Sequence, residues 1–140
     1  MEEDISNIDD IGIDLPDIPM PDENAQTQEI EDEFDGAYKF AIIGVGQGGS
    51  RIAETFWNLG YRRVCVINTA KQDLKYINIP EDRKLLLDHG GAGKDPETAE
   101  RIFQENSEEI CDFFRAKLGT TYDRVLVCAG AGGGTGAGGA

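Results

Sequence analysis

The sequence has few of the residues that most often build catalytic centres and cross-links. It contains one histidine, His89, and three cysteines in 140 residues. A single histidine offers little material for a histidine-based metal centre or a catalytic triad. Cys65, Cys111 and Cys128 lie in apolar runs without the spacing of a disulfide framework, which is typical of buried thiols in a reducing compartment. We therefore assign no catalytic residue and no metal ligand.

Targeting signals and basic residues are also scarce. The chain lacks a basic start followed by an apolar stretch, and it lacks the 18 consecutive apolar residues of a membrane span. We expect a cytoplasmic protein without a transmembrane segment. Residues 1–36 hold 14 Asp and Glu but no Lys or Arg, whereas the rest of the chain holds 13 acids and 13 bases. This neutral remainder argues against direct nucleic-acid binding.

The acidic stretch at 1–36 differs from the rest of the chain in its apolar content. Its isoleucines are scattered among acids and prolines, so it cannot bury enough apolar surface to offset the entropy of ordering. We predict a disordered acidic tail. Apolar residues around Ile11–Met20 form a candidate docking motif for a partner protein.

Residues 37–140 have the pattern of an α/β domain. Apolar runs predict strands at Tyr38–Val45, Val64–Asn68, Lys84–Leu87 and Arg124–Cys128. Four consecutive apolar residues in the last of them suggest burial on both faces. Helices are predicted after the first strand as far as Leu59, for one turn at Lys71–Tyr76, and from the Asp95-Pro96-Glu97 start to Lys117. With right-handed crossovers this order gives a parallel, Rossmann-like sheet with flanking helices.

Three glycine-bearing turns follow predicted strands, at 44–50, 90–93 and 130–140. Bare backbone N–H groups in such turns bind anions, most often phosphate. A flexible linker is the alternative for the last stretch, although linkers rarely follow a buried strand without a polar spacer. The chain is therefore expected to bind a phosphorylated ligand.

The first turn, Gly44-x-Gly46-x-x-Gly49, matches the dinucleotide fingerprint, which leaves an oxidoreductase domain using NAD or FAD as an alternative. That fingerprint expects an acid at the end of the second strand, where this chain has Asn68-Thr69. A Walker loop is absent because no Gly-Lys-Ser/Thr occurs. Three glycine turns at successive strand ends suit a triphosphate that is held by backbone amides.

The run 132–138, GGGTGAG, matches the glycine signature of the tubulin/FtsZ superfamily of polymerising GTPases at every position. Tyr38–Ala140 resembles the N-terminal part of that GTPase domain. The resemblance implies GTP and GDP as ligands, with Mg²⁺ as a candidate companion. It also implies self-association into filaments and GTP hydrolysis on assembly, in cell division, DNA segregation, or phage or organelle positioning.

The resemblance further implies that the chain is an N-terminal fragment. In this family the guanine contacts and the acidic loop that one subunit offers to its neighbour come later in the sequence. We therefore expect GTPase activity in the full-length assembled protein and none in these 140 residues alone. A non-hydrolysing nucleotide-binding scaffold remains an alternative.

The resemblance assigns nucleotide-contacting roles to positions in four segments. Gly46, Gln47 and Gly48 would lie against the α- and β-phosphates, with Gln47 near a Mg²⁺ shell. Arg51 stands where relatives carry Asn or Gln. Residues 92–94 would face the γ-phosphate, and residues 132–136 would wrap the phosphates through their main-chain amides. A side chain at any of the glycines is expected to clash or to remove the required conformation. The implied positions are Gly46, Gln47, Gly48, Arg51, Asn68, Thr69, Ala92, Gly93, Lys94, Gly132, Gly133, Gly134, Thr135 and Gly136.

Overall fold

The computed structural model describes residues 36–87 and 94–140. The predicted acidic tail, except for Gly36, lies outside the described residues, as does the glycine cluster at 90–93. No helix in these two described ranges is long and apolar enough to cross a membrane.

In the described ranges, four strands form one parallel sheet in the order β3-β2-β1-β4. Their register pairs Ile42 with Val64 and Phe40 with Arg124. The parallel α/β architecture predicted from the sequence is therefore confirmed. The strands are β1 (Phe40–Val45), β2 (Val64–Asn68), β3 (Lys84–Leu86) and β4 (Arg124–Ala129).

Within residues 36–87 and 94–140, five helices flank or follow these strands. Helix α1 starts directly from β1, and α2 follows β2 after two residues. A short 3-10 turn at Glu81–Arg83 leads into β3. The helices are α1 (Gly46–Asn58), α2 (Lys71–Lys75), α3 (Pro96–Glu105), α4 (Ser107–Leu118) and α5 (Gly134–Gly138).

The apolar side chains of the sheet form a core on each face, because successive residues of a strand point to opposite sides. On one face, Ala41 and Ile43 join Ile102 of α3 and Ile110 of α4. On the other face, Ile42 and Val66 join residues of α1 and α2, including Ala53 and Leu74. The sheet is therefore covered on both sides at its two central strands.

Strand β4 departs from the prediction of burial on both faces. Val125 is 48% exposed, Leu126 is 38% exposed and Val127 is 50% exposed, while Cys128 is buried. The reason is position in the sheet, since β4 is an edge strand that pairs only with β1 among the described residues. An apolar run indicates that a strand can be buried, but the strands and helices that pack against it decide whether it is buried.

The single helix predicted from Asp95 to Lys117 is two helices, because α3 ends at Glu105 and α4 begins at Ser107. Between them Asn106 leaves the helical conformation, with φ −108° and ψ 18°. Its side-chain Nδ2 donates to the carbonyl of Ile102 at 2.7 Å. Asparagine side chains compete with the backbone for such carbonyls, which is the physical reason for the break.

Candidate functional site

The segments that follow β1, β2 and β4 meet at the carboxyl end of the sheet, together with the turn before α3. In a parallel sheet these strand ends share one edge, and ligands bind in the crevice outside them. They enclose a cleft of about 510 Å³. Its lining residues are Val45, Gln47, Gly48, Ala70, Asp73, Lys94, Gly130, Gly132, Gly133, Gly134, Thr135 and Gly136.

The N-terminus of α1 forms one wall of the cleft. The strand passes into the helix without a loop because Gly46 adopts φ +72°, a conformation that glycine accepts readily. Val45 precedes the helix, and its apolar side chain caps none of the first N–H groups. These N–H groups and the helix dipole favour an anion at Gln47 and Gly48, which are both exposed.

The first and last glycine loops are in contact. A Cβ built on Gly46 would lie 2.8 Å from the main-chain N of Gly136, closer than real side chains approach. A Cβ on Gly136 would lie 2.6 Å from the carbonyl oxygen of Gly130. Glycine is therefore needed at Gly46 and Gly136 so that the two backbones can come together.

Two glycines of the last loop have a different role. A Cβ on Gly132 or Gly133 would meet nothing within 4 Å in the part of the chain that the structure describes, and neither residue has a positive φ. The expectation that a side chain would clash at every glycine is therefore wrong for these two within the described chain. By contrast, a Cβ on Gly134 would lie 2.9 Å from Cα of Lys94. The space beside Gly132 and Gly133 belongs to the cleft.

The glycine-rich stretch after β4 ends in a short helix. Gly134 starts α5, and Gly133 precedes it in an extended conformation with φ −112° and ψ 157°. The N–H groups at this second helix start also lie at the cleft.

The segment that follows β2 places Asn68 behind the surface of the cleft. Asn68 is 1% exposed, and its Oδ1 accepts from the main-chain N–H of Thr69 at 2.8 Å and of Ala70 at 3.2 Å. This fixes the amide so that Nδ2 donates to Oδ2 of Asp73 at 3.2 Å. Asn68 therefore does not line the cleft itself but positions Asp73, which does.

A hydroxyl pair joins the second loop to the last one. The Oγ1 atoms of Thr69 and Thr135 lie 2.8 Å apart and form a hydrogen bond. Thr69 is fully buried, so this bond satisfies a hydroxyl that water cannot reach. The link holds the start of α5 against the end of β2.

The turn before α3 supplies the only base lining the cleft within the described ranges, Lys94. Its φ of +64° is unusual for a residue other than glycine. The next residue, Asp95, caps α3 by accepting from the N–H groups of Glu97 and Thr98. The hydrogen bond from the Thr98 hydroxyl, followed by these backbone bonds, lowers the pKa of Asp95. A charged cap thus anchors the segment that carries Lys94.

The remaining implied positions fall elsewhere. Arg51 is exposed on α1 and does not line the cleft. Ala92 and Gly93 lie outside the described residues.

Sequence reasoning missed four lining residues, of which Asp73 is the one with a charge; the others are Val45, Ala70 and Gly130. Asp73 lies beyond the end of β2, and α2 brings it back to the cleft within its first turn. The sequence signal that could have identified Asp73 is its position, because it is an acid in the first turn of the helix that follows the second strand.

Comparison with known proteins identifies the fold and the family. Residues 39–140 match the model of the tubulin/FtsZ family, GTPase domain. The tubulin-like protein CetZ1 of Haloferax volcanii is 36% identical over 115 residues, covering 73% of this chain and 29% of CetZ1. The cell division protein FtsZ of Aquifex aeolicus is 34% identical over 114 residues, covering 78% of this chain and 30% of FtsZ. The chain thus spans about 30% of the length of these relatives.

Solved structures of related proteins have the same fold. The GDP-bound monomer of Haloferax volcanii CetZ1 superimposes with a TM-score of 0.65 and 34% identity, covering 72% of this chain and 34% of that one. A GTPγS-form protofilament of Bacillus thuringiensis TubZ gives a TM-score of 0.60 at 26% identity, with 72% and 31% covered. The family match over most of the chain, the sequence similarity and the shared fold agree: this chain belongs to the tubulin/FtsZ family.

Proposed function

We propose that the cleft binds GTP and GDP, and that the complete protein hydrolyses GTP as it assembles into filaments. One observation supports the proposal that the cleft binds a nucleotide. Gly132 and Gly133 leave open space at the cleft, facing the uncapped N-terminus of α1. Backbone N–H groups from two loops then converge on one volume, as a polyphosphate requires.

The relatives support the choice of guanine nucleotide and of assembly. The CetZ1 structure is a GDP-bound monomer, and the TubZ structure is a GTPγS-form protofilament. Filament formation and hydrolysis are properties proposed for the complete protein, because this chain covers about 30% of its relatives. We place this activity in the cytoplasm, without direct contact to nucleic acid.

The cleft also fits Mg²⁺ as a companion of the nucleotide. Mg²⁺ is usually held by one or two carboxylates together with phosphate oxygens and water. Asp73 is the one carboxylate that lines the cleft in the described part of the chain, and the Asn68 amide fixes one of its oxygens. When bound, Mg²⁺ would neutralise phosphate charge, and Asp73 would hold it on the side of the second loop.

Nucleotide competition on the intact protein tests the binding part. A fluorescent GTP analogue should be displaced by GTP and GDP at far lower concentrations than by ATP or NAD. Asp73→Asn should weaken the dependence of affinity on Mg²⁺ concentration, whereas Asp112→Asn, an exposed carboxylate on α4, should not change it. Displacement of the probe by NAD in preference to GTP would contradict the assignment.

Sedimentation of the intact protein tests the assembly part. We expect pelleting with GTP and much less with GDP, together with phosphate release that rises steeply with protein concentration. Tight GTP binding without any pelleted polymer over a range of salt, pH and concentration would favour a nucleotide-binding scaffold and contradict the filament proposal.

A further inference from the structure

A lysine side chain is buried beside the helix that carries Asp73. Lys84 is the first residue of β3, and its side chain is only 5% exposed. Burying an ammonium group costs free energy unless the charge is paired and hydrogen-bonded, whereas an apolar side chain at a buried position avoids that cost. The contacts of this ammonium group therefore show what a lysine contributes here.

The Lys84 ammonium makes two contacts. It donates to Oε1 of Glu81 at 2.6 Å, and the Glu81 side chain is 86% exposed. It also donates to the main-chain carbonyl of Leu74 at 3.1 Å. Leu74 is the second-to-last residue of α2, so the positive charge lies at the end of the helix where the backbone dipole is negative. Lys84 thus caps the C-terminus of α2.

Helix α2 depends on its neighbours for its position. It has five residues, and Ala70 before it supplies no side-chain cap. A helix of this length does not form alone in water, because nucleation costs more than its few hydrogen bonds return. Since Asp73 lies on α2 and lines the cleft, whatever holds this helix also sets the direction of the Asp73 carboxylate.

Two adjacent strands hold α2 from two sides. Asn68 ends β2, and its Nδ2 donates to Oδ2 of Asp73 at 3.2 Å. Lys84 begins β3, which pairs with β2, and it holds the carbonyl of Leu74, the residue that follows Asp73. The helix cannot turn about its axis without breaking one of these two bonds. Asn68 and Lys84 therefore fix Asp73 together.

We propose that Lys84 is a positioning residue for the Mg²⁺ site, acting through α2 on Asp73. This proposal rests on the proposed function of the cleft, since it takes Asp73 as the carboxylate beside Mg²⁺. Lys84 is not among the described residues that line the cleft, so its loss should leave nucleotide binding without Mg²⁺ unchanged. Its loss should lower the fraction of molecules in which Asp73 is in place, and the apparent affinity for Mg²⁺ falls with that fraction.

Titration of the intact protein with a fluorescent GTP analogue, in excess Mg²⁺ and in EDTA, measures the factor by which Mg²⁺ tightens binding. Lys84→Met removes the ammonium and keeps the apolar stem. We expect the Mg²⁺ factor to fall roughly fivefold, about the contribution of one hydrogen bond, while the affinity in EDTA stays unchanged. Lys84→Gln keeps a neutral donor and should give a smaller loss in the same direction, so the result does not depend on the methionine variant alone.

Two variants supply the controls. Lys117→Met removes the same charge from a lysine that lies 3.4 Å from Asp82, and it should leave the Mg²⁺ factor unchanged. Glu81→Gln should also leave it unchanged, because the bond from Lys84 to the carbonyl of Leu74 remains. Hydrogen exchange of the nucleotide-free protein gives a second readout. In Lys84→Met the amides of α2 should exchange severalfold faster, and those of α1 at the same rate as in the unaltered protein.

The Asp73→Asn background separates a positioning role from a merely structural one. Once the carboxylate is gone, Lys84→Met should change the Mg²⁺ factor no further. If Asp73→Asn lowers the factor but Lys84→Met does not, or if Lys84→Met weakens binding equally in EDTA, Lys84 has no positioning role. If the unaltered protein binds no GTP, or if Asp73→Asn leaves the factor unchanged, the proposed function of the cleft fails and this role of Lys84 fails with it.

Discussion

Replacement of Gly133 by valine should weaken GTP binding roughly 10- to 100-fold while leaving the fold intact. Gly133 has an extended backbone that valine adopts easily, and a Cβ there meets no atom of the described residues within 4 Å. We therefore expect the free energy of unfolding to change by no more than about 0.5 kcal/mol. The valine methyl groups would instead fill space in the cleft where a phosphate is proposed to lie.

The expected loss of affinity follows from the hydrogen bonds involved. A hydrogen bond to a charged group contributes about 1.5–3 kcal/mol, so displacing the phosphate from one N–H donor weakens binding roughly 10- to 100-fold. Titration with a fluorescent GTP analogue measures this loss. Urea unfolding, followed by the fluorescence of the single tryptophan, Trp57, measures stability.

Gly134→Val is the matched control, one residue further on. A Cβ at Gly134 would lie 2.7 Å from the main-chain N of Asp95 and 2.9 Å from Cα of Lys94, so the backbone must shift. Overpacking of this kind costs about 1–3 kcal/mol, and we expect both stability and affinity to fall. The reasoning is refuted if Gly133→Val destabilises the fold as much as Gly134→Val, or if it binds GTP as tightly as the unaltered protein.

Three further outcomes are expected from the described residues. Thr135→Val should destabilise the protein by about 1–2 kcal/mol in urea unfolding, because it leaves the buried Thr69 hydroxyl without its partner; a neutral effect would contradict that role. The pKa of Asp95 is lowered, chiefly by the Thr98 hydroxyl, so its stabilising effect is present above its ordinary pKa of 3.8 and is lost as pH falls through the lower folded value. In melting temperatures measured over a pH series, Asp95→Asn should remove the loss of stability that protonation of Asp95 causes at low pH. The same pH dependence in this variant and in the unaltered protein would refute this role of Asp95. Among the thiols, Cys111 is exposed and should react first with a thiol reagent, while the two buried cysteines should react only on unfolding; simultaneous reaction of all three would contradict the fold.

Buried thiols illustrate what local sequence could establish. Cys65 lies in the apolar run of β2, and the prediction of burial is confirmed there, since the residue is fully buried. This burial raises the pKa of its thiol to about 12. The same prediction is wrong for Cys111, which lies in α4 but on its exposed side. An apolar neighbourhood in sequence does not specify which face of a helix a residue occupies when the helix starts in a new register after Asn106.

The sequence by itself determined the strands, their parallel arrangement and the family. Apolar runs that alternate with helical segments predict a parallel sheet, and GGGTGAG at 132–138 is specific enough to indicate the family. Only the tertiary structure decided which glycines face the cleft and which allow backbones to touch. Gly133 and Gly134 are adjacent and chemically identical, but among the described residues the turn before α3 packs against Gly134 and not against Gly133. It likewise decided that Asp73 reaches the cleft and that β4 stays exposed, because both depend on neighbours distant in the chain.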